Sequence, residues 1–270
     1  MTDLLQRKLV FVTGKGGVGK TTVTAALALL GSQQGRRTLA CELDAKGNLA
    51  DFFESGPTGF RPREVHPGLF AMSMDTERSL EEYLEIHLRL PRVARLGPVA
   101  RAFDFVSTAA PGVREILTVG KPVYEVHEGH YDLVVVDATA SGHVLSQLAA
   151  PRVVRDLIQV GPVRDQTTWM LDILADPERS GVVIVATPEE MPVNETIELA
   201  GRVEQETGVH LAGVVVNRVL PELFGRGEEA LFERLGDPAL AGELSQAVDG
   251  EVGPIMEGAR LAVTLRRTRA

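Results

Sequence analysis

Cysteine is all but missing from this chain of 270 residues, in which Cys41 stands alone. A single thiol excludes an intramolecular disulfide, a CxxC redox pair and a cysteine-based structural zinc site, so the chain reads as cytoplasmic and metal-light. Aromatic residues are only 5% of the sequence, and no apolar run is long enough to span a membrane. The opening, MTDLLQRKLVFVTG, lacks the layout of a signal peptide. Positive charge is short as well: 28 Lys+Arg against 37 Asp+Glu leave a net charge of −9. That balance argues against a dominant grip on nucleic acid, which depends on clustered cations that release counterions, and no specific nucleic acid is expected as a partner. Lysine is scarcest among the 28 basic residues, being confined to Lys8, Lys15, Lys20, Lys46 and Lys121. Two of these lie in one glycine-rich stretch.

That stretch, Gly14-Lys15-Gly16-Gly17-Val18-Gly19-Lys20-Thr21, fits GxxxxGK[ST]. It follows a short apolar run, KLVFVT, and precedes TTVTAALALLGSQQG, whose alanines and leucines recur at helical spacing. Strand, glycine turn and helix in that order are the context the motif requires. Glycines let backbone N–H groups turn inward around a phosphate, and the helix N-terminus adds its partial positive charge. Lys20 then supplies a point charge to the β/γ oxygens of ATP, the Thr21 hydroxyl is placed for Mg²⁺, and Thr22 belongs to the same nucleotide-binding turn. An ordinary glycine-rich turn is the plainer alternative.

Further apolar runs follow at residues 37–43 (RTLACEL), 68–75 (GLFAMSMD), 131–137 (YDLVVVD), 181–187 (GVVIVAT) and 210–217 (HLAGVVVN). Most are separated by helical patterns, which predicts an α/β fold: a doubly wound, mostly parallel sheet of the P-loop NTPase kind. Between residues 76 and 129 the alternation gives way to helical sequence with Pro91, Pro98, Pro111 and Pro122 as breakers, so a helical insertion is expected there. The whole chain, 1–270, reads as one domain carrying that insertion, with a helical, charged tail and no final strand after Pro221. Asp44 and Asp137 close two of the strands, at the sheet edge where ligands bind in such folds. Each can serve an Mg-nucleotide site, and a capping Asp at a strand–helix junction is the alternative for Asp44.

The loop GKGGVGKTT resembles the deviant Walker A loop of an ATPase class that includes partition ATPases, the nitrogenase iron protein, and the arsenical-pump and tail-anchored-protein targeting ATPases. The resemblance implies that Lys15 reaches across a dimer interface to the partner's nucleotide. CELDAKGNLADFF resembles the first switch, which gives Asp44 the role of positioning the attacking water; Ala45 replaces the usual proline, with Lys46-Gly47 after it. Asp137 would hold the Mg²⁺ water shell. The segment after it, ATASGHVL, resembles the second switch of the arsenical-pump and targeting branch, where the Gly142 N–H would meet the γ-phosphate and His143 has no catalytic duty. Three more segments favour that branch: GLFAMSMDTERSLEEYL, the Pro111-Gly112-Val113-Arg114-Glu115 element with Arg114 in place of an acid, and PEEMPVNET at 188–196. Asn217 matches an adenine-contacting asparagine, with a simple turn former as the alternative.

The resemblance therefore implies an Mg²⁺-ATP hydrolase that works as a nucleotide-gated dimer, a homodimer or a heterodimer with a paralogue. Its client would be a protein, hydrophobic or membrane-bound, engaged by the helical insertion. The want of a further strand and adenine-covering loop after Asn217 implies a shortened, bacterial-type member or an incomplete gene product. Neither a zinc-bridging cysteine pair nor arsenite-binding cysteines are present, so activation by arsenite is not expected. The insertion has no methionine and carries Arg89, Arg92, Arg95 and Arg101, so a solvated cap competes with an apolar groove. Two rival functions remain open. One is a nucleotide-sensing regulatory subunit that hydrolyses slowly or not at all; the other is a partition or positioning ATPase, kept in view by Arg266, Arg267 and Arg269 at the basic end.

Overall fold

A computed structural model describes residues 4–44, 48–87, 112–221, 225, 227, 228, 230, 234 and 237–267. Seven strands form one sheet: β1 (Leu9–Gly14), β2 (Thr38–Glu42), β3 (Arg63–His66), β4 (Leu69–Ser73), β5 (Leu133–Ala140), β6 (Ser180–Ala186) and β7 (Leu211–Val216). Their spatial order is β3-β4-β2-β5-β1-β6-β7. Strand β1 pairs in parallel with β5 and β6, and β2 in parallel with β4 and β5. The mostly parallel α/β sheet expected from the sequence is thus present.

Strands β1, β2 and β6 are buried at every residue, which is why they read as unbroken apolar runs rather than alternating ones. Alternation does appear in where the side chains go. Leu9, Phe11, Cys41, Val134, Val136, Val182 and Ile184 enter one core with Val119 and Val123 of α4 (Val113–His127), Leu148 of α5 (Ser141–Leu157), Ile173 of α6 (Pro162–Ala175) and Val203 of α7 (Glu190–Thr207). Val10, Val12, Ala40, Val135 and Val183 enter the opposite core with Ala25 and Ala28 of α1 (Lys20–Gln33) and Leu49 of α2 (Asn48–Phe52). Helices therefore cover both faces, as the side-chain period of two requires.

Strand β3 escaped the sequence reading. Its residues, REVH, are polar and largely exposed, and it is held by antiparallel pairing with β4, Arg63 opposite Ala71 and Glu64 opposite Phe70. Pro122 departs from expectation in the other sense: it lies inside α4 rather than ending it. A proline within a helix forfeits one backbone bond, and here burial of Val119, Val123 and Val126 against the sheet outweighs that loss.

Of the insertion expected at 76–129, the structure describes α3 (Thr76–His87) and α4; residues 88–111, with the four arginines and Pro111, lie outside the described residues. The two helices are tied by Lys121, whose ammonium is 2.8 Å from Glu82 Oε2 and 2.7 Å from Glu125 Oε1. The Lys121 and Glu125 side chains are only 6% and 5% exposed. Burial works to lower the Lys121 pKa, but hydrogen bonds and charge from Glu125 and Glu82 win and hold it above the usual lysine value.

At the edge where β2 and β5 begin, arginines stitch the strands together. Arg36 donates to the Asp132 carbonyl and, at 3.0 Å, to the Arg7 carbonyl, while the Arg37 N–H donates to the Asp132 carboxylate at 2.8 Å. The Arg37 guanidinium also lies over the Phe70 and Tyr131 rings.

The chain groups into two compact units, Met1–Ala186 with Met191–Val215, and Thr187–Glu190 with Val216–Ala270. The second contains α8 (Pro238–Ala247), capped by the Asp237 carboxylate, which accepts from the Ala239 N–H, and α9 (Gly253–Arg267). Among the described residues no strand follows β7, and Arg269 lies outside them.

Candidate functional site

Strand β1 feeds directly into the glycine loop. Gly14 has φ 145° and passes so close to β6 that a Cβ there would sit 2.2 Å from the Val185 carbonyl oxygen, a position only glycine fills. Val18 is buried and pins the middle of the loop. Gly19, at φ 96°, precedes α1 with no side chain capping the first helical N–H groups. Those donors face outward at the positive end of the helix, the arrangement that receives a phosphate. Lys20 opens α1 and folds back so that its Nζ donates to the Lys15 carbonyl at 3.2 Å, which lays the ammonium along the loop.

At the second residue of α1, the Thr21 hydroxyl donates to Asp137 Oδ2 at 2.7 Å. Asp137 is 7% exposed, and its Oδ1 is buried without a hydrogen-bond partner among the described residues. Burial raises the Asp137 pKa above its ordinary value; the Thr21 hydrogen bond and the Lys20 charge pull it back down, and Asp44 pushes it further up. A hydroxyl beside a carboxylate with one oxygen unsatisfied is a hard-oxygen donor set of the kind Mg²⁺ takes from proteins, alongside phosphates and water. A cation there would also relieve the cost of the buried charge. Thr21 and Asp137 therefore fit Mg²⁺.

Asp44 is exposed just beyond β2, and its charge is felt at Asp137. Ala45, Lys46 and Gly47 lie outside the described residues. Glu42, the last residue of β2, was not singled out from the sequence. It is 2% exposed, stands in register with Asp137, and accepts from the Ser73 hydroxyl at 3.2 Å. The Ser73 hydroxyl in turn lies 2.8 Å from that of Thr58. An acid ending an otherwise apolar run was the available signal.

The segment after Asp137 is wired to the loop. Thr13 Oγ1 donates to the Thr139 carbonyl at 2.9 Å, and Thr139 Oγ1 donates to Gln147 Oε1 at 2.9 Å. Gly14 pairs with Ala140, so α1 and α5 start from neighbouring strands at one edge. Helix α5 also begins without a side-chain cap, and Gly142 sits exposed in its first turn with its N–H among the open donors. His143 is exposed in the first turn of α5.

Lys15 occupies a different relationship. Its Nζ lies 3.3 Å from Glu195 Oε2, on α7, as an ion pair with side chains 30% and 41% exposed. Glu195 also accepts from the Ser141 hydroxyl at 3.4 Å through Oε1. Glu195 lies within PEEMPVNET, a segment the sequence marked by resemblance, but its pairing with Lys15 had no local signature because the two are far apart in the chain.

The remaining predicted positions are scattered. Asn217 follows β7 in the second unit, where its Oδ1 accepts from the Arg218 N–H at 2.9 Å and Arg218 adopts φ 58°. Arg114 is exposed in the first turn of α4. Cys41 is fully buried, and burial pushes its thiol far above the usual range, so it is an inert core residue.

The model of the anion-transporting ATPase family matches residues 7–171 and 159–230. The ATPase BagA of Mycobacterium tuberculosis is 31% identical over 225 residues, 79% of this chain and 66% of that protein. The arsenical pump-driving ATPase of Acidiphilium multivorum is 27% identical over 243 residues, 79% of this chain and 40% of its own. The ATPase get3 of Schizosaccharomyces japonicus is 31% identical over 175 residues, 61% and 52% of the two. The chain thus spans less than two thirds of the length of these relatives. With the matched region running from the start of β1 past β7 and containing the loop, both aspartates and the Lys15–Glu195 pair, the chain belongs to the anion-transporting ATPase family, among relatives that include arsenical pump-driving and get3 ATPases.

Proposed function

We propose that this protein is an Mg²⁺-dependent ATP hydrolase that works as a nucleotide-gated dimer. The observation that carries the reading is the 2.7 Å contact between Thr21 and Asp137 beside the uncapped N-terminus of α1, with Lys20 lying along the same loop. Phosphates docked on the loop N–H groups gain the helix dipole and displace Lys20 from the Lys15 carbonyl onto the β/γ oxygens. Mg²⁺, held by Thr21 and Asp137, would neutralise phosphate charge as it develops in the transition state. Asp44, exposed at the end of β2, orients the attacking water, and the Gly142 N–H meets the γ-phosphate. Lys15, supplied by the opposite protomer, adds positive charge only when two copies close. A homodimer is the simplest assembly; a heterodimer with a paralogue uses the same surfaces.

Phosphate state then passes to the helical region. Thr13, Thr139 and Gln147 link the loop to α5, and Lys121 links α4 to α3. The client class we infer is a hydrophobic or membrane protein engaged by the helical region, on the resemblance of the switch segments alone; no helix among the described residues is long and apolar enough to cross a membrane. The test is phosphate release with Mg²⁺-ATP over a protein concentration series, beside size-exclusion runs in ATP and ADP. Specific activity that rises with concentration, together with an ATP-dependent dimer, supports the reading. ATP binding with neither turnover nor dimer replaces it with the nucleotide-sensing subunit.

A further inference from the structure

The signature lysine does not stand free in the single chain. Lys15 Nζ sits 3.3 Å from Glu195 Oε2, and Glu195 is steadied on its other oxygen by the Ser141 hydroxyl at 3.4 Å. All three residues lie in the first compact unit, on three separate elements: the phosphate loop, the start of α5 and α7. One carboxylate thus joins the loop, the segment after Asp137 and the helix that follows β6.

We propose that Glu195 is a positioning residue for Lys15, a latch that holds the ammonium in cis until a second protomer offers its nucleotide. The inference rests on the proposed role of Lys15 in trans. A lysine pinned to its own chain cannot at the same moment contact the partner's phosphates, so each closure must break two ion pairs, one per protomer.

The geometry suits a release rather than a lock. Glu195 Oε2 is itself buried and makes its charge contact without a hydrogen bond among the described residues, while the two side chains as a whole are partly open to solvent. A half-exposed pair held by charge alone is worth little, so the ammonium exchanges for a phosphate, which offers more negative charge and better acceptors. Ser141 gives the latch a sensor: it opens α5 one residue before Gly142, so a γ-phosphate that draws the Gly142 N–H shifts the hydroxyl that steadies Glu195. Nucleotide in the home site would then loosen the lysine destined for the partner.

The experiment compares wild type, Glu195→Gln, Ser141→Ala, Lys15→Ala and the Lys15→Ala/Glu195→Gln double variant. Each is titrated in protein concentration with Mg²⁺-ATP, reading phosphate release and, by sedimentation, the ATP-dependent dimer. Glu195→Gln keeps the size and removes the charge. It is expected to move both midpoints to lower protein concentration by about two- to fivefold, the range a partly exposed pair supports. Ser141→Ala should move them the same way by less, and the double variant should dimerise like Lys15→Ala alone, because without the ammonium the carboxylate has nothing to hold. A Glu195→Gln midpoint that is unchanged or moves to higher concentration overturns the latch; if Lys15→Ala still abolishes turnover in the same series, the trans reading stands without it. Full turnover in Lys15→Ala overturns the trans reading itself, and the latch with it. A shift that persists in the double variant overturns the latch as well, since it assigns the effect to helix α7 rather than to Lys15.

Discussion

Glu42, the last residue of β2, and Asp137, inside β5, stand side by side in register on two adjacent parallel strands, both buried. Two carboxylates placed this way are tolerated because each has a hydroxyl donor, Ser73 for Glu42 and Thr21 for Asp137. Burial of the Asp137 carboxylate carries a cost that a divalent cation there would offset.

That cost makes a stability prediction with a definite sign. The Asp137 pKa is raised in the folded chain, chiefly by burial, above a reference of 3.8. A raised acid favours folding below its unfolded pKa and loses that contribution as pH climbs through the folded value. Asp137→Asn in nucleotide-free, Mg²⁺-free protein is therefore expected to unfold at a higher temperature than wild type at pH 7. The gap should close as the pH approaches 4. Thermal melts from pH 4 to pH 8 check this, and the same variant should show no stabilisation by Mg²⁺-ATP.

Lys20→Ala removes the ammonium from the loop without touching the core. Turnover is expected to fall by about 10²-fold or more, with ATP affinity falling too, since the charge acts on ground state and transition state alike. Nucleotide titration beside phosphate release separates the two losses.

Asp44→Asn should divide binding from chemistry. The side chain is exposed and outside the glycine loop, so ATP binding and ATP-dependent dimerisation are expected to survive, while turnover drops by about 10²-fold or more through loss of the group that orients water. A variant that dimerises in ATP and stays dimeric over hours is the expected phenotype, read by size exclusion.

Lys121 tests the link between the helices. Lys121→Ala frees Glu82 and leaves the buried Glu125 with only His130, 2.8 Å from its Oε2, and removing one partner of a buried charge costs up to about 3–5 kcal/mol. Urea unfolding should show a loss of that order. Lys121→Ala/Glu125→Ala should recover part of it, because the stranded charge goes with the second substitution.

The loop and the central strands were legible because their requirements are local: a positive φ at Gly14 and Gly19, a hydroxyl after Lys20, and apolar residues on both faces of β1, β2 and β6. Strand β3 was not, since REVH carries no apolar period and is defined only by its partner β4. Pro122 misled because local propensity yields to burial when one helix face covers a sheet. Glu195 lay inside a segment the sequence had marked, but its link to Lys15 is long-range, and charge complementarity between distant residues leaves no spacing to read. Glu42 was hidden by its neighbour Asp44, which drew the assignment two residues along the chain.

The arginine stitching around Asp132 has a practical consequence. It joins β2 and β5 at the edge opposite the glycine loop, with Arg36 and Arg37 holding the strand starts by hydrogen bonds and Arg37 lying on the Phe70 and Tyr131 rings. The sheet is anchored at one margin and carries its uncapped helix starts at the other. A fluorophore attached near Asp132 would report a stationary frame, against which a second label beside Gly142 would register each nucleotide-driven displacement as a change in distance.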